Sequence, residues 1–297
     1  MSDRRGWHVR HVTSYAYGEP VELAMHLLHL LPRDLPRQAV RRAVVVSDPP
    51  PARREDGTDH FGNRVTWLTL DRPHARFSVT ADYEAEVAPP PPLPDVTPAW
   101  ERVADLARGV PDAAEFLFPS PLLPPVPGAR DFVAPHFTPG RPVGEAVRAV
   151  ARGFREGLSF RPGATTVSTP VAEVLRRRAG VCQDFAHLLL TGLRMHGIPA
   201  RYVSGTIRTR PPPGGVRRLG VDQSHAWVAA WCGPAERGGA GWVDLDPTNA
   251  VLVSDEHVTL GWGRDFGDVS PLRGVILGGG RHTVSVSVDM EPAEAAR

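Results

Sequence analysis

Ala179-Gly180-Val181-Cys182-Gln183-Asp184-Phe185-Ala186-His187-Leu188 lies where one helical pattern ends and another begins, and its reading organises the rest of the chain. Before it, Val171 to Ala179 reads as a helix, with Thr169 as its cap, Pro170 at its first position and Gly180 suited to a left-handed exit. After it, Phe185, Ala186, Leu189, Leu190 and Leu193 fall on one helical face, which stops at His196-Gly197-Ile198-Pro199. Cys182 therefore opens a helix. A thiol there faces backbone N–H groups with no intrahelical partner and the positive end of the helix dipole, which stabilise a thiolate and could later hold an oxyanion. Position makes Cys182 the candidate nucleophile.

Upstream, Trp100, Val103, Leu106, Ala107 and Val110 fit a helical face, as do Val143, Val147, Val150, Phe154 and Leu158. Earlier still the period changes. Between Trp7 and Val87 the apolar residues come in short runs, Val40 to Val46, Val65 to Leu70 and Phe77 to Tyr83, divided by turn residues, which is an all-β pattern. Asp59-His60-Phe61-Gly62-Asn63 reads as a hairpin turn. Ala88-Pro89-Pro90-Pro91-Pro92-Leu93-Pro94 removes donors and fixes an extended backbone, so we expect a β-rich domain over 1–88, a linker over 89–94 and a second domain over 95–297.

Downstream, Ala200 to Ile207, Ser224 to Trp231 and Gly241 to Asp246 have strand character, separated by loops such as Arg210-Pro211-Pro212-Pro213-Gly214-Gly215. The last clear strand is His282 to Met290, with Val284, Val286 and Val288 on one face and serines on the other. Helices first and antiparallel strands after them make the second domain α+β.

Composition narrows the function. Thirty-four basic residues against thirty-three acidic ones leave a formal charge of +1, with no basic block to track phosphates, so nucleic acid is not an expected partner. All the basic side chains except histidine are arginine. Two cysteines, Cys182 and Cys232, are too few for a secreted disulfide framework, and neither a signal-peptide pattern nor a membrane-spanning run is evident, so a soluble cytoplasmic protein is expected. His8 with His11, and His26 with His29, sit three apart on strands and so point to opposite faces, a poor zinc pattern. No cofactor or metal is expected. Arg176-Arg177-Arg178 reads as a solvated helix end and Gly278-Gly279-Gly280 as a turn.

A cysteine nucleophile needs a base and an acceptor that fixes the base's tautomer. Gln223-Ser224-His225-Ala226-Trp227-Val228 brings a histidine into a strand after a loop, and Gly241-Trp242-Val243-Asp244-Leu245-Asp246-Pro247-Thr248-Asn249 brings a carboxylate. Asp244 and Asp246 share a face by alternation, so periodicity does not separate them; Asp246 is preferred because it ends the strand. Gln183 and Asp184 suit a first helical turn for dipole reasons alone. Trp227 and Trp242 read as packing residues that shield the site.

The three blocks around Cys182, His225 and Asp246, in this order, resemble the bacterial transglutaminase-like superfamily. Ala200-Arg201-Tyr202-Val203-Ser204-Gly205 and Gly263 to Gly274 extend the likeness toward the C-terminus. His11-Val12-Thr13-Ser14-Tyr15-Ala16-Tyr17 and Asp59 to Asn63 resemble the β-rich region that precedes the domain in such proteins. The resemblance implies a papain-like core of helices on an antiparallel sheet, with Cys182 as nucleophile, His225 as general base and acid, and Asp246 as orienter. Papain itself does not fit: its histidine lies roughly 130 to 150 residues downstream, whereas His225 follows Cys182 by 43.

The implied chemistry is attack on a peptide or carboxamide carbonyl, a thioester, and transfer to water or to an amine. The expected substrate is a peptide or protein carrying glutamine or another amide. Hydrolysis is favoured over amine transfer, and a non-catalytic binding module on the same fold is the third reading. Without lysine the chain cannot crosslink itself, and no acidic loop has calcium-binding spacing.

Overall fold

The computed structural model describes residues 4–94, 96–209, 223–235 and 240–293, so the loop predicted at 210–215 lies outside the described residues. The first unit is an antiparallel sheet of β1 (Arg5–Leu28), β2 (Gln38–Asp48), β3 (Arg53–Thr58), β4 (Arg64–Leu70) and β5 (His74–Val87). The apolar runs read from sequence fall inside β2, β4 and β5. Period-two burial is clearest in β5, where Phe77, Val79, Ala81, Tyr83, Ala85 and Val87 all turn inward against Trp7 and Val9 of β1.

β1 is long because it serves two half-sheets. Arg5 to Ala16 pairs with β5, and Ala24 to Leu28 pairs with β4; the register shifts between Ala16 and Val21, where Pro20 has no N–H to give a ladder.

The helical layer comprises α1 (Trp100–Ala107), α2 (Pro111–Ala114), α3 (Pro127–Val133), α4 (Val143–Gly157), α5 (Val171–Arg177) and α6 (Cys182–Met195). Two short segments, β6 (Ser159–Phe160) and β7 (Ala179–Gly180), pair in parallel ahead of α6. The helical faces read from the sequence are the buried ones: Val103 and Ala107 in α1, and Val143, Val147, Val150 and Phe154 in α4. They pack with Phe185, Leu189 and Leu193 of α6, each such side chain contributing about 1.5–3 kcal/mol of burial. Among the described residues, no helix is long and apolar enough to cross a membrane.

The second sheet is built from β8 (Ala200–Ile207), β9 (Gln223–Trp231), β10 (Trp242–Asp246), β11 (Val251–Leu252) and β12 (His257–Gly263), in the antiparallel order β11-β10-β9-β8-β12. Val228 and Ala230 of β9 join the helical core, while Trp227 and Ala229 on the opposite face pack with Val203 and Val253. Helices on an antiparallel sheet, preceded by a β-rich unit, are the expected α+β architecture.

Three local readings need correction. The last strands, β13 (Leu272–Gly278) and β14 (His282–Pro292), do not belong to the second sheet: both pair with β1. The alternation of β14 was legible, but a strand's partner, here some 270 residues away in sequence, is not a local property. Helix α5 has Pro170, not Thr169, at its N-cap position, with no side-chain capping bond, and its left-handed exit is Arg178 at φ 52°. Gly180 is needed for space instead: a Cβ there would stand 2.6 Å from Asp184 Oδ2. Gly278, Gly279 and Gly280 do form the expected turn, all at positive φ.

The Asp59–Asn63 turn also does more than reverse the chain. Asp59 Oδ1 accepts the Phe61 and Asn63 N–H groups, and Asn63 in turn bonds both main-chain groups of Trp262 on β12, Nδ2 donating to the carbonyl at 2.7 Å and Oδ1 accepting from the N–H at 2.9 Å. Arg33 stacks on the Trp262 ring, 3.4 Å from its centroid, with Arg201 on the same ring at 3.7 Å. These contacts lock the first unit to the edge of the second sheet.

Candidate active site

Cys182 is the first residue of α6, and the helix start is tied down by its neighbours. Asp184, almost fully buried, accepts the Val181 N–H at 2.7 Å and the Thr165 hydroxyl at 2.6 Å, a carboxylate reaching back to cap its own helix. Gln183 donates to the Val167 carbonyl at 2.9 Å. The Gln183 and Asp184 side chains are thus both occupied in holding the segments before α6. Cys182 forms no disulfide and is partly exposed, whereas Cys232 is buried and its thiol is pushed up to about 12 by desolvation. The two cysteines are chemically unlike: one is accessible, the other inert.

Strand β9 carries His225 to this helix start. Its Nε2 lies 2.8 Å from Asp246 Oδ2, and the imidazole also hydrogen-bonds with the Cys182 side chain. Burial alone would pull this imidazole toward its neutral form. The hydrogen bonds to Asp246 and Cys182, and their charges, outweigh that and raise it from 6.5 to about 10. These partners favour the protonated form of His225 beside the sulfur.

Asp246, fully buried at the end of β10, meets five donors. Oδ1 accepts the main-chain N–H groups of Thr248 at 3.0 Å and Asn249 at 3.1 Å; Oδ2 accepts the Asn249 amide at 2.6 Å and faces His225 and His257 Nε2, the latter at 3.3 Å. Burial opposes ionisation here, yet these donors hold the carboxyl well below the usual carboxylate range. Asp244, two residues earlier, lies 3.7 Å from Arg37 and near Arg201 and takes no part in this set.

The structure thus brings Cys182, His225 and Asp246 together. It also adds His257, from the start of β12, and Asn249, neither of which the sequence singled out. His257 opens a recognisable strand pattern, but only the strand order places it opposite Asp246. Trp227 roofs both imidazoles, edge-on to His257 at 5.4 Å and 6.3 Å from His225. Its close approach needs Gly205 on β8, where a Cβ would stand 2.2 Å from the indole. Trp242 packs on Phe116 at 5.5 Å and under the Arg201 guanidinium at 4.3 Å.

Chemically, a thiol at a helix N-terminus beside a carboxylate-supported imidazolium is arranged for nucleophilic attack and proton return. Among the described residues, no group of three or more His, Cys, Asp or Glu side chains could hold a metal ion.

Comparison with known proteins places this arrangement. Residues 7–86 match the bacterial transglutaminase-like N-terminal region, and residues 131–247 match the transglutaminase-like superfamily core. The chain belongs to the bacterial transglutaminase-like superfamily, and that membership supports cysteine-based catalysis in general. An uncharacterised protein of Mycobacterium tuberculosis is 39% identical over 301 residues, covering 99% of this chain and 95% of its own. Another from Mycobacterium leprae is 33% identical over 289 residues, covering 96% and 98%. A solved structure from Cytophaga hutchinsonii, described as a candidate cysteine protease, shares the fold with a TM-score of 0.74 at 19% identity, covering 100% of this chain and 93% of that one.

Proposed function

We propose that the protein carries out cysteine-dependent acyl chemistry on peptide or carboxamide bonds, with Cys182 as nucleophile, His225 as general acid and base, and Asp246 as the carboxylate that orients His225. The observation that carries this reading is the single file of hydrogen bonds from the thiol through His225 to a buried, donor-saturated Asp246.

In the first half-reaction the Cys182 thiolate adds to the carbonyl carbon. The oxyanion that forms faces the N–H groups at the start of α6. The His225 imidazolium gives its proton to the departing amine as the C–N bond breaks, leaving a thioester and a neutral imidazole. In the second half-reaction that imidazole takes a proton from water, which adds to the thioester carbon; the thiolate leaves and the carboxylic acid is released. Atoms and charge balance with water as the only co-reactant. An amine in place of water gives transfer instead.

Hydrolysis is the favoured outcome, because the partly exposed thiol is open to water, the acceptor that is always at hand. The test is incubation with a library of glutamine-containing peptides, with and without a primary amine, read by mass spectrometry of products and of the enzyme. A Cys182-bound acyl group that decays to free acid supports hydrolysis. Quantitative capture by the amine moves the assignment to transfer. Turnover that survives in Cys182→Ala removes the reading altogether, and absence of any acylation favours a binding module.

A further inference from the structure

Two imidazoles converge on one oxygen of Asp246, and only one of them reaches the thiol. His257 Nε2 lies 3.3 Å from Asp246 Oδ2, while its Nδ1 stands 3.3 Å from the Ser254 main-chain N–H. The Ser254 hydroxyl stands 3.4 Å from the same nitrogen, and its oxygen already accepts the Glu256 N–H at 3.2 Å, leaving its own hydrogen to give. A backbone N–H can only donate, so both Ser254 groups favour a bare Nδ1 lone pair, with the ring proton on Nε2 pointed at the carboxylate. His257 is almost wholly buried.

The turn that supplies this N–H belongs to the second unit but is held by the first. Trp7 Nε1 donates to the Asp255 carbonyl at 2.7 Å, Arg5 pairs with Glu256 at 3.0 Å and Asp255 at 3.5 Å, and Arg37 donates to the Ser254 carbonyl at 3.3 Å.

We propose that His257 is a positioning residue: held by Ser254 as an Nε2–H donor, it shares Asp246 with His225, and the N-terminal sheet maintains the turn that sets its orientation. This inference rests on the acyl-transfer reading of Cys182, His225 and Asp246, and it gives the N-terminal unit a role in the site without placing any of its residues at the thiol.

The physical consequence concerns His225. A second donor on Oδ2 spreads the carboxylate's electron density over two N–H groups, so Asp246 grips the imidazolium less tightly than it would alone and the proton is released more readily to a leaving group. The titratable and charged groups that face His257 among the described residues are Asp246 and Asp244 on β10, His225 on β9, Arg37 from the first sheet, and Asp255 and Glu256 with Arg5 on its own turn. Of these, only Asp246 lies within hydrogen-bonding reach of the His257 ring.

The test is nitrogen-resolved NMR of the full chain with ¹⁵N-labelled histidine, which separates protonated from bare ring nitrogens. In the wild type His257 is expected to carry its proton on Nε2, with Nδ1 accepting from Ser254. In His257→Phe the titration midpoint of His225 should rise by about half a unit or more, since Asp246 then acts on it alone. His257→Gln, whose amide can accept from Ser254 and donate to Asp246, should bring the midpoint back. Trp7→Phe, which removes the indole N–H from the Asp255 carbonyl, should mix the His257 tautomers and shift His225 in the same direction by less.

An unmoved His225 midpoint in His257→Phe, or His257 found protonated on Nδ1, overturns the proposal. An unchanged tautomer in Trp7→Phe overturns the part assigned to the N-terminal sheet. If His257→Phe does not fold, the wild-type tautomer and Trp7→Phe still decide. The acyl-transfer reading fails separately, on turnover that persists in Cys182→Ala, and none of the NMR outcomes depends on substrate.

Discussion

Asp244 and Asp246 stand two residues apart on the same strand and the same face, and their surroundings are opposite. Asp246 is met by two imidazoles, an amide and two main-chain N–H groups, and its carboxyl is driven below the ordinary range. Asp244 is met by the guanidinium groups of Arg37 and Arg201 at the boundary with the N-terminal unit, yet burial dominates and its carboxyl is driven up. The face of a strand decides where a side chain points. What it can do is decided by the strands and loops that arrive beside it, and in β10 those differ completely over a span of about 7 Å.

Four measurements would break or sharpen that contrast. Cys182→Ala sets the floor: peptide or amide turnover should fall by at least about 10⁴-fold, because every later step needs the thioester. Asp246→Asn should cost about 10³ to 10⁴ in kcat by presenting His225 with an amide that can hold the wrong tautomer. Asp244→Asn should change kcat by less than about tenfold, since its partners lie away from the thiol. Equal losses in the two asparagine variants would erase the distinction.

The third measurement is stability against pH, read as urea midpoints. Stability tied to Asp246 is present above the ordinary carboxyl value of 3.8 and is lost as pH falls toward the depressed one; for Asp244, whose value is raised, the sign is reversed. Asp246→Asn should therefore flatten the acid-side loss, and Asp244→Asn should steepen it. On the alkaline side, stability tied to His225 is complete below 6.5 and fades as pH rises through about 10, a slope that His225→Gln should remove. The smallest effect is on stability at neutral pH: Asp244→Asn removes the counter-charge of Arg37 and Arg201 but also relieves a carboxylate that burial disfavours, and these opposing effects should leave a net change of less than about 1 kcal/mol.

Much of this was legible in the linear sequence, and the limits follow a pattern. The helix start at Cys182, the strands bearing His225 and Asp246, and the alternation of β5 all follow from interactions within a few residues, where period and capping chemistry apply. The preference for Asp246 over Asp244 rested on strand position alone, whereas the structure separates them through long-range partners. His257 was missed because its only link to the site is the order of strands, and Gly180 was misread because its role is to clear a side chain four residues on. The Asn63 contact with Trp262 and the return of β13 and β14 to β1 depend on residues about 200 or more positions apart. Local pattern identifies the pieces; register and docking identify their neighbours.

That return has a consequence for how the protein comes into being. β1 leaves the ribosome more than 240 residues ahead of β13 and β14, so the edge that receives them stays unfilled until both have emerged. The sheet that braces the Ser254–Glu256 turn is completed only after the segments bearing Cys182, His225 and Asp246 have all been made, so a nascent chain carries its thiol for a time without a finished scaffold around it. The order of manufacture itself sets when that scaffold can close.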